Sequence, residues 1–199
     1  MPVVQRAAKS RQTREEARRR IVEAATELFR TLPYAAVSVD EVMRRAGIGR
    51  TLFYRHFDDL PDLLMKAGRE AIEELYTTHE TLAHAAVTAD PQVIRRGLEA
   101  AAAVYVRHGP LLRAIAEAAT VDERIHEGQS AMRERFRELL EQTLTRLLPP
   151  GAPEAAELAR ALNVMNESYL LDVFGREPRV PPDVAARTLS HVIDAVLKP

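Results

Sequence analysis

Arginine, tyrosine and histidine side chains that could contact a nucleic acid are concentrated in residues 46–57. This segment reads Ala-Gly-Ile-Gly-Arg-Thr-Leu-Phe-Tyr-Arg-His-Phe. In a helix, Ile48, Phe53 and Phe57 would pack inward and leave the polar side chains on the outer surface. An arginine at the helix start can donate two hydrogen bonds to guanine in the major groove, and hydroxyl or imidazole groups can donate to phosphates. We therefore predict contacts with double-stranded DNA from Ser38, Arg44, Arg45, Arg50, Thr51, Tyr54, Arg55 and His56.

Each of these residues also has a plainer interpretation. Arginines on helix surfaces are commonly solvated, and a tyrosine can simply cover the edge of a core. The charge distribution favours DNA, because residues 1–57 carry 12 basic and 6 acidic side chains while the whole chain has a net charge of −1. A basic front end indicates a polyanionic partner for that end alone. We interpret Arg18, Arg19 and Arg20 as a solvated face.

The elements that would position this cluster are helices throughout. Alanine, leucine, arginine and glutamate dominate the chain, and no stretch alternates β-branched residues with period two. Ser38 to Glu41 has the capping-box spacing and opens a short helix to Ala46, Gly47 breaks that helix, and a third helix spans residues 49–57. Two short helices around a glycine turn have the spacing of a helix-turn-helix. The predicted fold is all-α, with about nine helices.

Turn residues divide the chain into three predicted parts. We expect a flexible basic arm over residues 1–12, a helix-turn-helix domain over 13–58 that begins with a long helix near Thr13, and a helical bundle over 59–199. Within the bundle, Gly109-Pro110 is expected to end one helix. Other bundle helices are predicted over residues 59–86, 122–148, 154–174 and 182–197.

The helix-turn-helix segment resembles the TetR family of bacterial regulators. The resemblance rests on Ala46-Gly47-Ile48 followed by Tyr54-Arg55-His56-Phe57, and it covers residues 15–66. Leu52 and Leu60 depart from it, because family members often carry threonine and lysine there, toward the DNA backbone. The resemblance implies a repressor that binds operator DNA. Our hypothesis is that a small apolar effector fills a cavity among the central helices, tilts the helix over 59–86 and so releases the repressor.

The same resemblance implies a homodimer in which the last two helices of each chain pack as a four-helix bundle. A dimer would place two reading helices about one turn of DNA apart. The alternative is that the apolar stripes of these helices pack only inside one subunit, and we expect both uses. The residues concerned are Leu170, Leu171, Phe174, Leu189, Val192, Ile193, Val196 and Leu197.

Three polar residues interrupt an apolar helix near the carboxyl end. Asn163, Asn166 and Glu167 share one side of it. Buried amides either bond neighbouring helices or orient a ligand, and from the residues alone we favour bonding between helices. Residues 161–167, with Phe174-Gly175 and Val180-Pro181, are similar to the ethionamide-monooxygenase repressor branch of the family.

The branch resemblance implies that Asn163 and Asn166 face an effector channel, to which Glu167, Phe136 and Tyr105 are added as candidates. The chain has no tryptophan, in contrast to the aromatic channel of that branch, so the type of effector is not carried over.

Other function classes find little support. The chain has no cysteine, which excludes disulfides and thiolate chemistry. It shows no phosphate loop, no paired carboxylates and no serine nucleophile motif, so we expect no enzyme and no cofactor. The six histidines are scattered, and we expect no metal site unless folding unites a pair. Without a long apolar run or a signal peptide, the expected location is the cytoplasm. A helical bundle without a DNA role is the remaining alternative.

Overall fold

The computed structural model describes residues 2–86, 90–148 and 154–197, with side chains from residue 14 onward. Within these ranges every regular element is helical, which confirms the all-α prediction. There are seven α-helices and two short 3₁₀ helices where about nine helices were predicted. The α-helices are α1 (Pro2–Thr31), α2 (Val39–Ala46), α3 (Leu60–Ala85), α4 (Pro91–Ala118), α5 (Glu123–Leu147), α6 (Ala155–Phe174) and α7 (Pro182–Leu197), and the 3₁₀ helices are Tyr34–Ala36 and Arg50–Arg55.

Short polar side chains cap four of the α-helices. Each accepts a hydrogen bond from a backbone N–H of the first turn, which a helix cannot satisfy by itself. All four residues are at or next to helix starts that the sequence predicts, because Asp90-Pro91 also has the pattern of a helix start. The caps are Ser38 on α2 (3.2 Å to the Glu41 nitrogen), Asp59 on α3 (2.8 Å to Asp62), Asp90 on α4 (2.9 Å to Gln92) and Asp122 on α5 (3.1 Å to Arg124).

The amino-terminal head consists of α1, α2 and the Arg50–Arg55 helix around one hydrophobic core. Phe53 and Phe57 are buried as predicted, and Ile48 packs against the core while remaining partly exposed. Fully burying one such side chain contributes about 1.5–3 kcal/mol. The same core includes Leu63 and Leu64 of α3 and Ile21, Phe29, Val42, Ala114 and Ile115 from the neighbouring helices.

A second core fills the body formed by α3 to α7. In this body α3 packs on α4, α4 packs on α7, and α5 packs on α6. Its buried residues include Leu75, Leu98, Val104, Leu144, Leu162, Phe174 and Leu189.

Three predicted boundaries differ from the structure. Helix α1 begins at Pro2 and not near Thr13, so residues 2–12 are helical where a loose arm was expected. The predicted helix over residues 49–57 is the 3₁₀ helix Arg50–Arg55, whose carboxyl cap is His56. Helix α4 continues through Gly109 and Pro110, both of which are buried.

Tertiary packing explains the continuity of α4. Proline inside a helix removes a donor and typically costs about 3 kcal/mol, so the sequence alone favours a break. At Gly109, however, α4 approaches the end of α6 so closely that an added Cβ would meet the carbonyl oxygen of Phe174. The buried contact between the two helices therefore offsets the local preference.

We expect Gly109→Ala to lower the free energy of unfolding by about 1–3 kcal/mol, because the methyl group would force α4 and α6 apart. Urea denaturation followed by circular dichroism measures the change. Gly128→Ala is the matched control: Gly128 is exposed in the middle of α5, and an added Cβ there would meet no other atom, so alanine should stabilise the chain by up to about 1 kcal/mol. Equal effects of the two substitutions would contradict the close-packing explanation.

Candidate nucleic-acid interface and ligand cavity

The turn between α2 and the Arg50–Arg55 helix is fixed by Gly47 and by an arginine of α1. Gly47 has φ of 65°, in the left-handed region that favours glycine. The Arg20 guanidinium donates a hydrogen bond of 2.6 Å to the carbonyl of Ala46, and so satisfies an acceptor at the end of α2. Arg20 is exposed, as predicted for a solvated face, and its guanidinium makes this contact as well. Its neighbours in the sequence gave no signal, because the contact spans 26 positions.

Arg50 stands exposed at the start of the 3₁₀ helix, where a base contact was predicted. Its Nη1 lies 2.7 Å and 2.8 Å from the two carboxylate oxygens of Asp40, and its Nη2 donates to the Tyr54 hydroxyl at 3.1 Å. These interactions, first the hydrogen bond to Tyr54 and then the charge of Asp40, raise the pKa of Arg50. The exposed pair holds the guanidinium in place and can exchange for a DNA acceptor with little loss.

The residues predicted to contact DNA form what we call the reading surface, which is exposed except at His56. Arg44 pairs with Glu41, and Arg45 pairs with Glu27 of α1 at 2.7 Å. The Ser38 oxygen accepts the capping bond, which leaves its hydroxyl proton free to donate. The reading surface comprises Ser38, Arg44, Arg45, Arg50, Thr51, Tyr54, Arg55 and His56.

His56 is positioned less favourably for a phosphate than predicted. Its Nε2 is buried and has no hydrogen-bond partner among the described residues. Burial, followed by the charges of Arg14 and Arg18, lowers the pKa of the ring. A neutral ring with an enclosed Nε2 can reach a phosphate only through its other nitrogen.

Lys66 is a cation that the sequence analysis missed. Its ammonium group donates to the carbonyl of His56 at 3.2 Å and to Asp62 at 2.8 Å, and it lies 5.9 Å from the centre of the Phe57 ring. It therefore brings a positive charge from α3 to the end of the reading surface, close to where Leu60 departs from the family pattern.

A cavity of about 40 Å³, which we call the chamber, lies between α3, α4, α5 and α6 in the body. All five predicted ligand residues line it: Tyr105, Phe136, Asn163, Asn166 and Glu167. Other lining residues are Ile72, Leu75, His79, Leu112, Ile115, Gln129, Met132, Arg133, Leu170 and Leu171. The structure thus unites side chains that are far apart in the sequence, although sites for drug-sized ligands typically occupy about 300–1,000 Å³.

Asn163 and Asn166 differ in their hydrogen bonding. The Asn163 amide donates to the carbonyl of Arg133 at 3.2 Å, which is the bond between helices that the sequence alternative favoured. The Arg133 guanidinium pairs with Glu167 at 2.7 Å and 3.1 Å. Asn166 is different, because its Oδ1 is buried and lacks a partner within the described ranges. An unpaired buried acceptor is costly, so Asn166 is the group most available to a ligand.

His79 was considered only as a possible metal ligand, and it lies in the cavity wall instead. Its Nδ1 lies 2.8 Å from the carbonyl of Leu75, so Nδ1 carries the proton and Nε2 is an acceptor in the neutral ring. Burial lowers the pKa of His79 and raises the pKa of Tyr105, which keeps both neutral. The chamber therefore presents mainly apolar walls, the neutral side chains of His79 and Tyr105, and the Arg133–Glu167 ion pair.

A groove of about 260 Å³ lies outside this chamber, between α3 and α5. Ile72, Met132 and Phe136 line both spaces. The Arg135 guanidinium stacks 4.0 Å above the Tyr76 ring at the outer side. Phe136 is thus part of a thin wall between chamber and groove.

The stripes predicted for dimerisation divide into two groups. Leu170, Phe174, Leu189 and Leu197 are buried inside the subunit, as the alternative required. Leu171, Val192, Ile193 and Val196 keep part of their surface exposed, and Val164 of α6 is 54% exposed. Apolar surface therefore remains on α6 and α7 after the subunit has folded.

Comparisons with known proteins agree with this architecture. Residues 21–64 match the family model of bacterial regulatory proteins of the tetR family. The HTH-type transcriptional regulator EthR of Mycolicibacterium smegmatis is 29% identical over 178 residues, with 86% of this chain and 82% of the relative covered. EthR of Mycobacterium tuberculosis strain H37Rv is 28% identical over the same shares.

Solved structures show the same fold. The TetR family regulator PfmR of Thermus thermophilus superposes with a TM-score of 0.71 at 23% identity, covering 90% of this chain and 94% of that one. NalD, the secondary repressor of the MexAB-OprM multidrug efflux pump in Pseudomonas aeruginosa, gives 0.67 at 24% identity, with 94% and 98% covered. Across the described ranges, none of the helices has the length and apolar character needed to span a membrane. The matched family model, the EthR relatives and the shared fold together support a DNA-binding transcriptional regulator of the TetR family.

Proposed function

We propose that this regulator is a repressor that binds operator DNA as a homodimer and dissociates when a small, largely apolar effector fills the central chamber. The observation that carries the proposal is the convergence of all five sequence-predicted ligand residues on one chamber. We further propose a reading domain over residues 13–58, an effector and dimerisation domain over 59–199, a cytoplasmic location and no catalytic activity. The repressor role named for NalD supports repression of transcription over activation.

At the DNA, we propose that Arg50 reads a guanine in the major groove. Asp40 and Tyr54 hold its guanidinium at the start of the 3₁₀ helix, and phosphate contacts from the rest of the reading surface and from Lys66 would set the register. Two heads on a symmetric dimer would meet half-sites about 34–36 Å apart. The exposed apolar residues of α6 and α7 support pairing of two copies.

At the chamber, the proposal requires expansion, because about 40 Å³ holds only a few water molecules. Displacement of Phe136 would join the chamber to the outer groove and provide the missing volume. Ile115 links this site to the head: it lines the chamber, contacts Gly68 of α3 and belongs to the core of the head. An effector can lower operator affinity only by binding the low-affinity form of the dimer more tightly.

We expect Arg50→Ala to lower affinity for the operator by about 10- to 100-fold while affinity for scrambled DNA falls little, because the lost contact discriminates bases. Fluorescence anisotropy over a salt series, with fragments of the chain's own upstream intergenic DNA, provides the measurement. Arg19→Ala is the matched control, since it removes an equally exposed arginine whose ion pairs, within the part of the chain that the structure describes, are with Glu16 and Glu23 of its own helix.

Equal loss of selectivity in the two variants would contradict base reading by Arg50. If the unaltered protein bound every fragment of a genome-wide library with the same weak affinity, the operator proposal would fail and the helical-bundle alternative would stand.

We expect Asn166→Leu to raise the free energy of unfolding by about 1–2 kcal/mol, because it removes a buried acceptor that has no partner among the described residues. Asn163→Leu should lower it by about 1 kcal/mol, because its bond to Arg133 is lost. Urea denaturation of both variants tests the opposite signs. Destabilisation by both substitutions would show that Asn166 is bonded within the protein and is not open to a ligand.

A screen of small apolar compounds that carry one hydrogen-bond donor tests the effector step. Compounds that raise the melting temperature of the protein are then added to the operator complex. Release of the operator, weakened in Asn166→Leu, is the expected result. Ligands that bind the chamber and leave operator affinity unchanged would refute the proposed induction.

A further inference from the structure

Arg113 is a deeply buried arginine of α4 whose hydrogen bonds join three helices. Its side chain is 11% exposed. Its Nε donates to the carbonyl of Gly175 at 2.9 Å, and its Nη2 donates to the carbonyls of Leu32, at 3.0 Å, and Phe29. Its Nη1 pairs with Glu117 one turn further along α4. Every nitrogen of the guanidinium group is therefore engaged.

The carbonyls that it binds lie at the ends of helices on both sides of the head–body boundary. Phe29 belongs to the last turn of α1, Leu32 directly follows α1, and Gly175 directly follows α6. Such carbonyls have no partner within their own helix and carry partial negative charge. Arg113 thus satisfies acceptors from the head and from the body with a single rigid fork.

Neighbouring contacts reinforce the same junction. The second carboxylate oxygen of Glu117 accepts the backbone N–H of Tyr34 at 2.6 Å, in the loop after α1. The Arg176 guanidinium donates to the carbonyl of Thr31 at 3.1 Å. Burial lowers the pKa of Arg113, and the charge of Glu117 opposes that effect. The cost of burying the charge is therefore met by a matched carboxylate and by aligned carbonyls.

The junction also connects to the chamber. Leu171 lines the chamber, and its carbonyl accepts the backbone N–H of Gly175 at 2.9 Å. An added Cβ at Gly175 would lie 2.9 Å from the Cδ of Arg113, so the absence of a side chain lets the arginine approach. Displacement of the α6 wall of the chamber therefore shifts an acceptor that Arg113 binds.

We propose that Arg113 is the positioning residue that sets the orientation of the reading head on the body and transmits movement of α6 to the end of α1. The proposal rests on the proposed function for its link to an effector, while the positioning itself concerns the protein alone. Loss of the fork would leave the head attached through its hydrophobic core but free to change its angle.

The distance between head and body in the full-length chain tests this inference. The chain has no native cysteine, so Thr51→Cys and Glu138→Cys introduce two spin labels on exposed positions of the head and of α5. Labelled protein is diluted with an excess of unlabelled protein, so that only distances within one chain are measured by pulsed electron resonance. The positioning variant is Arg113→Met with Glu117→Gln, which avoids a buried unpaired carboxylate.

We expect one narrow distribution of the distance between the two labels in the labelled chain that keeps Arg113 and Glu117, which we call the parent. The positioning variant should give a shifted or broadened distribution. Arg137→Met is the matched control, because Arg137 is 17% exposed and, among the described residues, pairs with Glu134 and Glu141 of its own helix alone. If the double substitution prevents folding, Arg113→Lys, which keeps the charge without the fork, and Gly175→Ala, which crowds Arg113, carry the test.

A second readout separates positioning from stability, and it uses chains without the two introduced cysteines because Thr51 belongs to the reading surface. Operators whose half-site spacing differs by one base pair should be discriminated less by the Arg113 variants than by the parent, because a loosened head tolerates wrong spacing. Distances and spacing preference equal to those of Arg137→Met, even at reduced stability, would overturn the inference. Failure of the parent to bind any operator would instead refute the proposed function, and the distance measurement would still decide the positioning role.

Discussion

Both hydrophobic cores of the molecule depend on helix α4, which runs through them together with α3. The carboxyl half of α4 contributes Leu111, Ala114 and Ile115 to the core of the head, while Leu98 and Leu112 belong to the core of the body. Helix packing is close and resists continuous deformation, so a shift of α4 must be accommodated in both cores at once. The head and the chamber are therefore mechanically joined by shared side chains and not by a linker.

Features that depend on near neighbours in the chain could be predicted from the sequence. The cap at Ser38, the glycine turn at Gly47 and the inward faces of Phe53 and Phe57 follow from spacing and side-chain type, and the structure shows them as expected. The grouping of the five chamber residues came from a family resemblance, and no periodicity in the sequence would have united Tyr105 with Asn166.

The predicted break of α4 at Gly109-Pro110 is wrong because a distant contact outweighs the local preference of these two residues. Gly109 and Pro110 are helix breakers, yet the approach of α4 to Phe174 keeps them helical. Arg20 and Arg113 each bind carbonyls at helix ends far along the chain, and their neighbours in the sequence do not indicate these contacts. Arginine has a long stem and a planar fork, so its role is decided by which carbonyls the fold brings within reach. Sequence spacing cannot supply that information.

The small volume of the chamber has a kinetic consequence. At about 40 Å³ it has room for only a few waters, so this form is too small for a drug-sized ligand. Under the proposed mechanism, association waits for the walls around Phe136 to open, and the apparent dissociation constant is increased in proportion to the rarity of the open form. A chain that opens seldom responds slowly and ignores brief pulses of ligand. Packing at one aromatic side chain can thus set the response time of the switch without touching any group that recognises the ligand.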